Sequence, residues 1–236
     1  MFLLTVLIGC KPSPAPPLTV AAAANLTAVF VRMGHDFERS TGIAVVFSFA
    51  ATGDLTRQIE NAAPFDVFAA ADMDHIRRLE KQGLLLPGTV HVYGRGRLAL
   101  FGRAHSLQDL ATDKIRFVAI AKPDAAPYGL AAVEALKAAG VWDSIQPKVV
   151  YAENINISRQ YAVTGNADAA FTAYSLVLHD QPVLIDPKLY SPLDQGIGVV
   201  KSSTHEAAAR RFVDYVMGPE GQRQLEQNGY DTSTHK

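Results

Sequence analysis

The sequence predicts an α/β protein made of two similar-sized units. Strand-like and helix-like segments alternate along most of the 236 residues, as in sheets whose parallel strands are flanked by helices. Hydrophobic side chains make up 48% of the chain and charged ones 19%, so the chain can bury a core and is not disordered. A single cysteine excludes an internal disulfide framework and any zinc or redox site of the Cys-x-x-Cys type.

The first unit begins with three strands, each followed by a helix. Short runs rich in β-branched, aromatic and alanine residues predict strands at 18–21, 43–49 and 66–70. Apolar side chains spaced three and four residues apart predict helices from Leu26 to about Arg39, around 55–62 and around 76–79. This βαβαβα order is typical of a parallel sheet with helices on both faces.

A second α/β unit follows two strand-like runs. Those runs cover residues 90–93 and 97–101. Further strands are predicted at 117–120, 149–151, 169–172, 183–185 and 196–200, and helices at 130–139 and 156–163. The tail predicts two more helices, separated by Gly218 and Pro219.

The amino terminus predicts export and a lipid anchor. Residues 1–10 form an apolar run that ends Leu7-Ile8-Gly9-Cys10, which resembles the end of a bacterial lipoprotein signal. The run is too short to span a bilayer, which takes about 20 apolar residues, and a proline-rich segment follows at 11–17. We therefore expect 1–17 to be signal and tether, with lipid on Cys10. The alternative is a stray apolar terminus with a buried cysteine.

Sequence motifs give little support for an enzyme. The Gly-x-Gly-x-x-Ala match at 94–99 precedes a strand instead of opening a helix, so it is not a dinucleotide site. No Walker A motif, nucleophile elbow or metal-type histidine pair occurs. Asp66 and Asp72 bracket one strand and could be an acid pair, although capping of the next helix is the favoured interpretation of these aspartates. The net charge of −1 also argues against a nucleic-acid partner.

Four turns from strand to helix predict an anion site. They contain Asn25, Thr52, Tyr128 and Ile155, and none of them contains Lys or Arg. Such turns share the carboxyl edge of a parallel sheet, where ligands bind, and the first N–H groups of a helix attract anions. Neutral donors alone suit a dianion that must later be released. Ordinary helix caps are the alternative for any single turn.

These residues also carry a family resemblance. From residue 18 onward the chain resembles the periplasmic molybdate-binding proteins of ATP-driven (ABC-type) uptake systems. The segments that carry the resemblance are VAAAANL at 20–26, SFAATG at 48–53, QIENAAPFDVF at 58–68, AAAD at 69–72, APYGLA at 126–131 and MGPE at 217–220.

The resemblance implies a two-lobed, periplasmic-binding-protein-like fold of type II, each lobe a mostly parallel sheet flanked by helices. Residues 18–97 and 199–236 would form the first lobe and 98–198 the second. The lobes would close on molybdate or tungstate, without a cofactor. Connections near 97–101 and 196–200 would form the hinge.

The same resemblance assigns roles in the site. Asn25 and Thr52 would offer side chains and backbone N–H groups, Tyr128 and Ile155 backbone N–H groups, and Tyr174 a phenolic hydroxyl. The expected partners are a membrane permease and its ATPase, reached by a lipid-anchored, extracytoplasmic monomer. The alternative from another class is an exported hydrolase that uses Asp66 and Asp72, or a histidine, for acid–base chemistry.

Overall fold

The computed structural model describes residues 16–232, so Cys10 and the signal-like run lie outside the described residues. The strands are, in chain order, β1 (Leu18–Ala23), β2 (Val45–Ala50), β3 (Val67–Ala69), β4 (His91–Gly96), β5 (Leu98–Gly102), β6 (Val118–Ala121), β7 (Val149–Ala152), β8 (Ala169–Ala173), β9 (Val183–Leu184) and β10 (Leu193–Val199). The α-helices are α1 (Thr27–Thr41), α2 (Thr52–Glu60), α3 (Met73–Lys81), α4 (Pro127–Ala138), α5 (Trp142–Ile145), α6 (Ile155–Val163), α7 (Glu206–Met217) and α8 (Pro219–Gln227).

The strands form two five-stranded sheets, one in each lobe, which confirms the predicted two-lobed α/β architecture. Their orders are β2-β1-β3-β10-β4 and β7-β6-β8-β5-β9. In each sheet the first three strands are parallel, whereas the last two pair antiparallel with their neighbours. Each sheet is therefore mixed, because one strand, β10 in the first sheet and β5 in the second, runs against the other four. Four of the five strands in each sheet run the same way, which confirms the prediction of mostly parallel sheets flanked by helices.

The chain crosses between the sheets at two places in the described residues. Arg97 separates β4 of the first sheet from β5 of the second, and the return lies between β9 and β10. Strand β10 pairs with β3 and β4, so residues 193–198, which the sequence assigned to the second lobe, lie in the first sheet. A second hinge at 196–200 is therefore wrong, because Gly196 packs inside the first lobe, where a Cβ would lie 2.5 Å from Met73 Sδ.

Helix α1 shows why the carboxyl-terminal helices pack on the first lobe. Its apolar side chains at three- and four-residue spacing include Phe30 and Phe37, both fully buried. Phe212 of α7 meets each of these rings edge-on, with ring centroids 5.3 Å apart for Phe37 and 6.0 Å for Phe30. Helix α1 ends at Gly42, whose φ of +73° is a left-handed cap that favours glycine.

Asp66 directly precedes β3, and its carboxylate links that end of the strand to neighbouring parts of the first lobe. Its carboxylate accepts hydrogen bonds from the Thr19 N–H and hydroxyl at 2.8 Å and from the Ser203 hydroxyl at 2.6 Å. Burial raises the pKa of Asp66, but these bonds, together with one from His205, outweigh it, so its pKa lies below the ordinary value.

No helix within residues 16–232 combines the length and apolar character needed to cross a membrane.

Candidate functional site

A narrow cleft lies between the lobes, at the carboxyl ends of strands from both sheets. Its lining is formed by Ala23, Ala24, Asn25, Ala50, Ala51, Thr52, Ala71, Ala126, Pro127, Tyr128 and Ile155. It therefore brings together Asn25, Thr52, Tyr128 and Ile155, four of the five residues that the sequence analysis placed around an anion. None of these described lining residues carries a charge.

Helix α2 leaves one backbone donor of its first turn unused. The N–H groups of Asp54 and Leu55 both bind the Ala51 carbonyl, at 3.1 Å. The Gly53 N–H instead crosses to the second lobe and binds the Ala125 carbonyl at 2.8 Å. Within residues 16–232 no acceptor binds the Thr52 N–H. Because Thr52 lines the cleft, this N–H is a backbone donor of helix α2 that is available in the cleft.

Helices α4 and α6 of the second lobe show the same pattern. Pro127 has no N–H, and the next two N–H groups after Tyr128 bind the Ala126 carbonyl. In α6 the Asn154 side chain accepts from two N–H groups and its carbonyl accepts from a third. The Tyr128 and Ile155 N–H groups are left without an acceptor among the described residues. Each therefore adds one donor to the cleft.

The Thr52 hydroxyl supplies a further donor whose position is fixed. Thr52 is 1% exposed, and its Oγ1 accepts a hydrogen bond from the Ala71 N–H at 3.1 Å. Accepting that bond leaves the hydroxyl proton free to donate. A buried hydroxyl that already accepts from the protein is suited to bind an atom that has lone pairs only.

Asn25 leads from the cleft into a buried polar network that the sequence analysis did not find. Its Nδ2 donates to Gln195 Oε1 at 2.8 Å and to Tyr230 Oη at 2.9 Å. Gln195 Nε2 donates to Tyr128 Oη at 2.8 Å, and the Tyr93 hydroxyl donates to Gln195 Oε1 at 2.6 Å. Gln195 and Tyr230 lie 170 and 205 residues from Asn25 along the chain, so no local motif could reveal them.

The network is electrically neutral. Burial raises the pKa of Tyr93 and of Tyr128 well above the ordinary tyrosine value. Burial also raises the pKa of Tyr230, to about 12. All three phenols therefore keep their protons at physiological pH, and no phenolate opposes an anion in the cleft.

Tyr174, the fifth residue of the expected set, does not line the cleft. Its N–H donates to the Arg97 carbonyl at 2.9 Å, and the Arg97 guanidinium lies 5.2 Å from the centre of its ring. The neighbouring Ser175 hydroxyl donates to the Asn25 carbonyl at 3.1 Å, and Tyr230 provides the phenol near Asn25. Tyr174 therefore packs against Arg97, the residue at which the chain crosses between the lobes.

The two aspartates proposed for hydrolysis are not neighbours in the structure. Asp66 precedes β3, whereas Asp72 follows that strand and caps α3 by accepting from the His75 N–H at 3.0 Å. The two carboxylates therefore lie at opposite ends of β3 and cannot act as an acid pair. No group of three or more His, Cys, Asp or Glu side chains that could hold a metal occurs in residues 16–232.

A comparison with models of known protein families finds a match that covers nearly all of the described fold. The model of the bacterial extracellular solute-binding protein family matches residues 18–231. The chain belongs to this family. Solute-binding proteins are two-lobed, and the observed sheets and interlobe cleft agree with that membership.

Two relatives that match most of this chain are named for molybdate. Molybdate-binding protein ModA of Rhodobacter capsulatus is 33% identical over 229 residues, which are 94% of this chain and 90% of that protein. ModA of Azotobacter vinelandii is 34% identical over 235 residues, covering 95% and 93%. The solved Azotobacter vinelandii periplasmic molybdate-binding protein superposes with a TM-score of 0.86 at 30% identity, covering 90% of this chain and 98% of that one.

Proposed function

We propose that this solute-binding protein captures molybdate, and also tungstate, in the interlobe cleft and delivers it to an ABC transporter. The observation that carries the proposal is the uncharged cleft into which Thr52, Tyr128 and Ile155 bring unused N–H donors from both lobes. Three helix N-termini meet there, and each adds a partial positive charge that favours an anion. The names of the two ModA relatives support the choice of anion.

The donor set suits a tetrahedral oxyanion that has acceptors only. An anion of this kind can take hydrogen bonds from backbone N–H groups and from the Thr52 hydroxyl without giving up a proton. Its donors come from both lobes, so it is fully surrounded only when the lobes meet. The proposed action is binding and release, with no bond made or broken in the solute.

A thermal-shift panel with molybdate, tungstate, sulfate and phosphate tests the proposal. A ligand at 100 times its Kd stabilises the fold by about 2.7 kcal/mol, so molybdate should raise the Tm clearly. Molybdate and tungstate, nearly equal in size, should compete closely in titrations. The smaller sulfate should bind more weakly, because donors fixed at helix ends cannot all reach it.

Small-angle scattering supplies an independent measurement. Molybdate should shift the population toward the compact form, since donors from two lobes must meet on one anion. A protein that none of the four anions stabilises, or that binds sulfate as tightly as molybdate, would contradict the assignment of the solute. Compaction by molybdate alone would support both the solute and the closing motion.

Location and partners form the remaining part of the proposal. We propose that lipid on Cys10 holds a monomer at the outer face of the membrane, within reach of a permease and its ATPase. The support is the Leu7-Ile8-Gly9-Cys10 run with its proline-rich tether, since an anchored chain needs a flexible or extended link. Cys10→Ser should release the protein from the membrane fraction and leave the molybdate Kd unchanged. Membrane retention of the variant would overturn the anchor.

A further inference from the structure

Gln195 joins the two lobes beneath the cleft. It lies on β10 of the first sheet and is fully buried. Its carboxamide binds Asn25 of the first lobe through Oε1 and Tyr128 of the second lobe through Nε2, each at 2.8 Å. Asn25 and Tyr128 both line the cleft, whereas Gln195 does not. Gln195 is therefore placed to act on a bound solute through its two neighbours.

The hydrogen bonds of this network leave two groups unsatisfied. Asn25 Oδ1 is buried and has no donor among the described residues. The hydroxyl of Tyr128 accepts from Gln195, but its own proton has no acceptor in residues 16–232. Unsatisfied buried polar groups are costly.

Turning both carboxamides over satisfies both groups without moving any other atom. Asn25 Oδ1 then accepts from Gln195 Nε2 and from the Tyr230 hydroxyl, and Gln195 Oε1 accepts from the Tyr128 hydroxyl. Tyr93 keeps the Ala70 carbonyl as an acceptor, at 3.0 Å. The Asn25 carbonyl keeps the Ser175 hydroxyl as a donor. In this second arrangement only the Asn25 Nδ2 hydrogens lack a protein partner, so they are available to an anion.

We propose that Gln195 is a positioning residue that turns the Asn25 amide into an anion donor and couples this orientation to lobe closure through the Tyr128 hydroxyl. The inference rests on the proposed oxyanion function. When the second lobe brings Tyr128 against Gln195, the phenolic proton selects Oε1, Nε2 turns toward Asn25, and Asn25 presents its N–H groups. When the lobes separate, Tyr128 leaves and that selection is lost. Closure of the lobes therefore strengthens the binding of the solute by the first lobe.

The backbone at Gly96 packs tightly against the contact between Gln195 and Tyr128. A Cβ at Gly96 would lie 2.0 Å from Tyr128 Oη and 2.2 Å from Gln195 Nε2. Gly96 immediately precedes the crossover at Arg97. The Gln195–Tyr128 pair therefore packs against the end of β4, next to the crossover between the lobes. A change in the relative position of the two lobes would alter this contact.

The chain contains a second glutamine–tyrosine pair, away from the cleft, that serves as a comparison. Gln224 is as buried as Gln195 and donates to the hydroxyl of Tyr215 at 3.2 Å, away from the cleft. The experiment compares Gln195→Met and Tyr128→Phe with Gln224→Met and Tyr215→Phe. For each variant the molybdate Kd, the dissociation rate and the Tm without ligand are measured, and the double variant of each pair is included.

The cleft variants should raise the Kd about tenfold, through a faster dissociation rate. The comparison variants should keep the Kd within about twofold, although their Tm without ligand falls as much. Gln195→Met and Tyr128→Phe together should be no worse than the more harmful of the two, because both break one relay. A higher molybdate Kd in the cleft variants alone, at a loss of Tm that both pairs share, is the result that a purely structural role would not produce.

The outcomes separate this inference from the function on which it rests. A native protein that binds none of the four oxyanions overturns the proposed function. A native protein that binds molybdate overturns the inference if both cleft variants keep its Kd and dissociation rate. Equal losses in the comparison pair, or additive losses in the cleft pair, also overturn it. If Gln195→Met does not fold, Tyr128→Phe, which leaves no large cavity, decides alone.

Discussion

Gly96 is the position at which one added methyl group should disturb the cleft most. An alanine Cβ there would lie 2.0 Å from Tyr128 Oη and 2.2 Å from Gln195 Nε2, whereas favourable contacts between non-bonded heavy atoms lie near 3.5–4.0 Å. Both side chains are buried, and they are joined by a 2.8 Å hydrogen bond. Neither can move away without breaking that bond.

The cost of Gly96→Ala follows from these contacts. Overpacking of a core typically costs about 1–3 kcal/mol, and stranding a buried polar group costs about 1–3 kcal/mol more. We therefore expect the free energy of unfolding to fall by about 2–6 kcal/mol. For a chain of this size the Tm should fall by roughly 4–24 °C, since each kcal/mol shifts it by about 2–4 °C. The molybdate Kd should rise as well, because Tyr128 must shift.

Gly94→Ala is the matched control on the same strand. Its added Cβ would lie 3.4 Å from the nearest atom, the Asp231 carbonyl oxygen, which is ordinary contact. Its Tm should stay within about 3 °C of the native value. Thermal unfolding without ligand and a molybdate titration measure both variants. A Gly96→Ala protein with native Tm and native Kd would refute the described packing of Tyr128 and Gln195 against β4.

Three further changes test the hydroxyl donor, the lobe contact and the sheet anchor. Thr52→Val should raise the molybdate Kd by about 10- to 150-fold, because a charge-assisted hydrogen bond of about 1.5–3 kcal/mol is lost; Thr52→Ser should keep a nearly native Kd in the same titration. Gly53→Ala places a Cβ 3.0 Å from Ala125 Cα, so scattering should show weaker molybdate-induced compaction. Asp66→Asn should lower stability by about 1–3 kcal/mol at pH 7. Because the folded-state pKa of Asp66 is lowered, the Asp66 carboxylate stabilises the fold fully above its unfolded pKa of about 3.9, and this stabilisation is lost as pH falls through the folded-state pKa. Denaturant unfolding should therefore show the stabilities of the native protein and the Asp66→Asn variant converging below about pH 4.

Local sequence patterns predicted most of the elements because their causes are local. The apolar spacing that predicted a helix from Leu26 to about Arg39 corresponds to α1, Thr27–Thr41, and the glycine that follows ends it. The same patterns gave no information on which sheet a strand joins. Strand β10 pairs with β3 from more than 100 residues earlier in the chain, and only the tertiary fold decides that pairing.

The candidate site was partly predictable for a related reason. A turn that follows a strand of a parallel sheet and opens a helix must lie at the carboxyl edge, so Thr52, Tyr128 and Ile155 could be placed from order alone. Their unused N–H groups follow from helix geometry and do not depend on side-chain identity. Gln195 and Tyr230 could not be placed in this way, because their contacts with Asn25 join distant parts of the chain.

The division of the candidate donors between the lobes bears on how the proposed anion would leave. Thr52 and Asn25 belong to the first lobe, whereas the Tyr128 and Ile155 N–H groups belong to the second. Opening therefore withdraws part of the donor set in one motion, and no charged side chain among the described lining residues remains to hold the anion on one lobe. A lysine or arginine in this lining would keep its attraction in the open state. Under the proposed function, a neutral, divided site would instead make affinity depend on closure, so a partner that separates the lobes would release the solute.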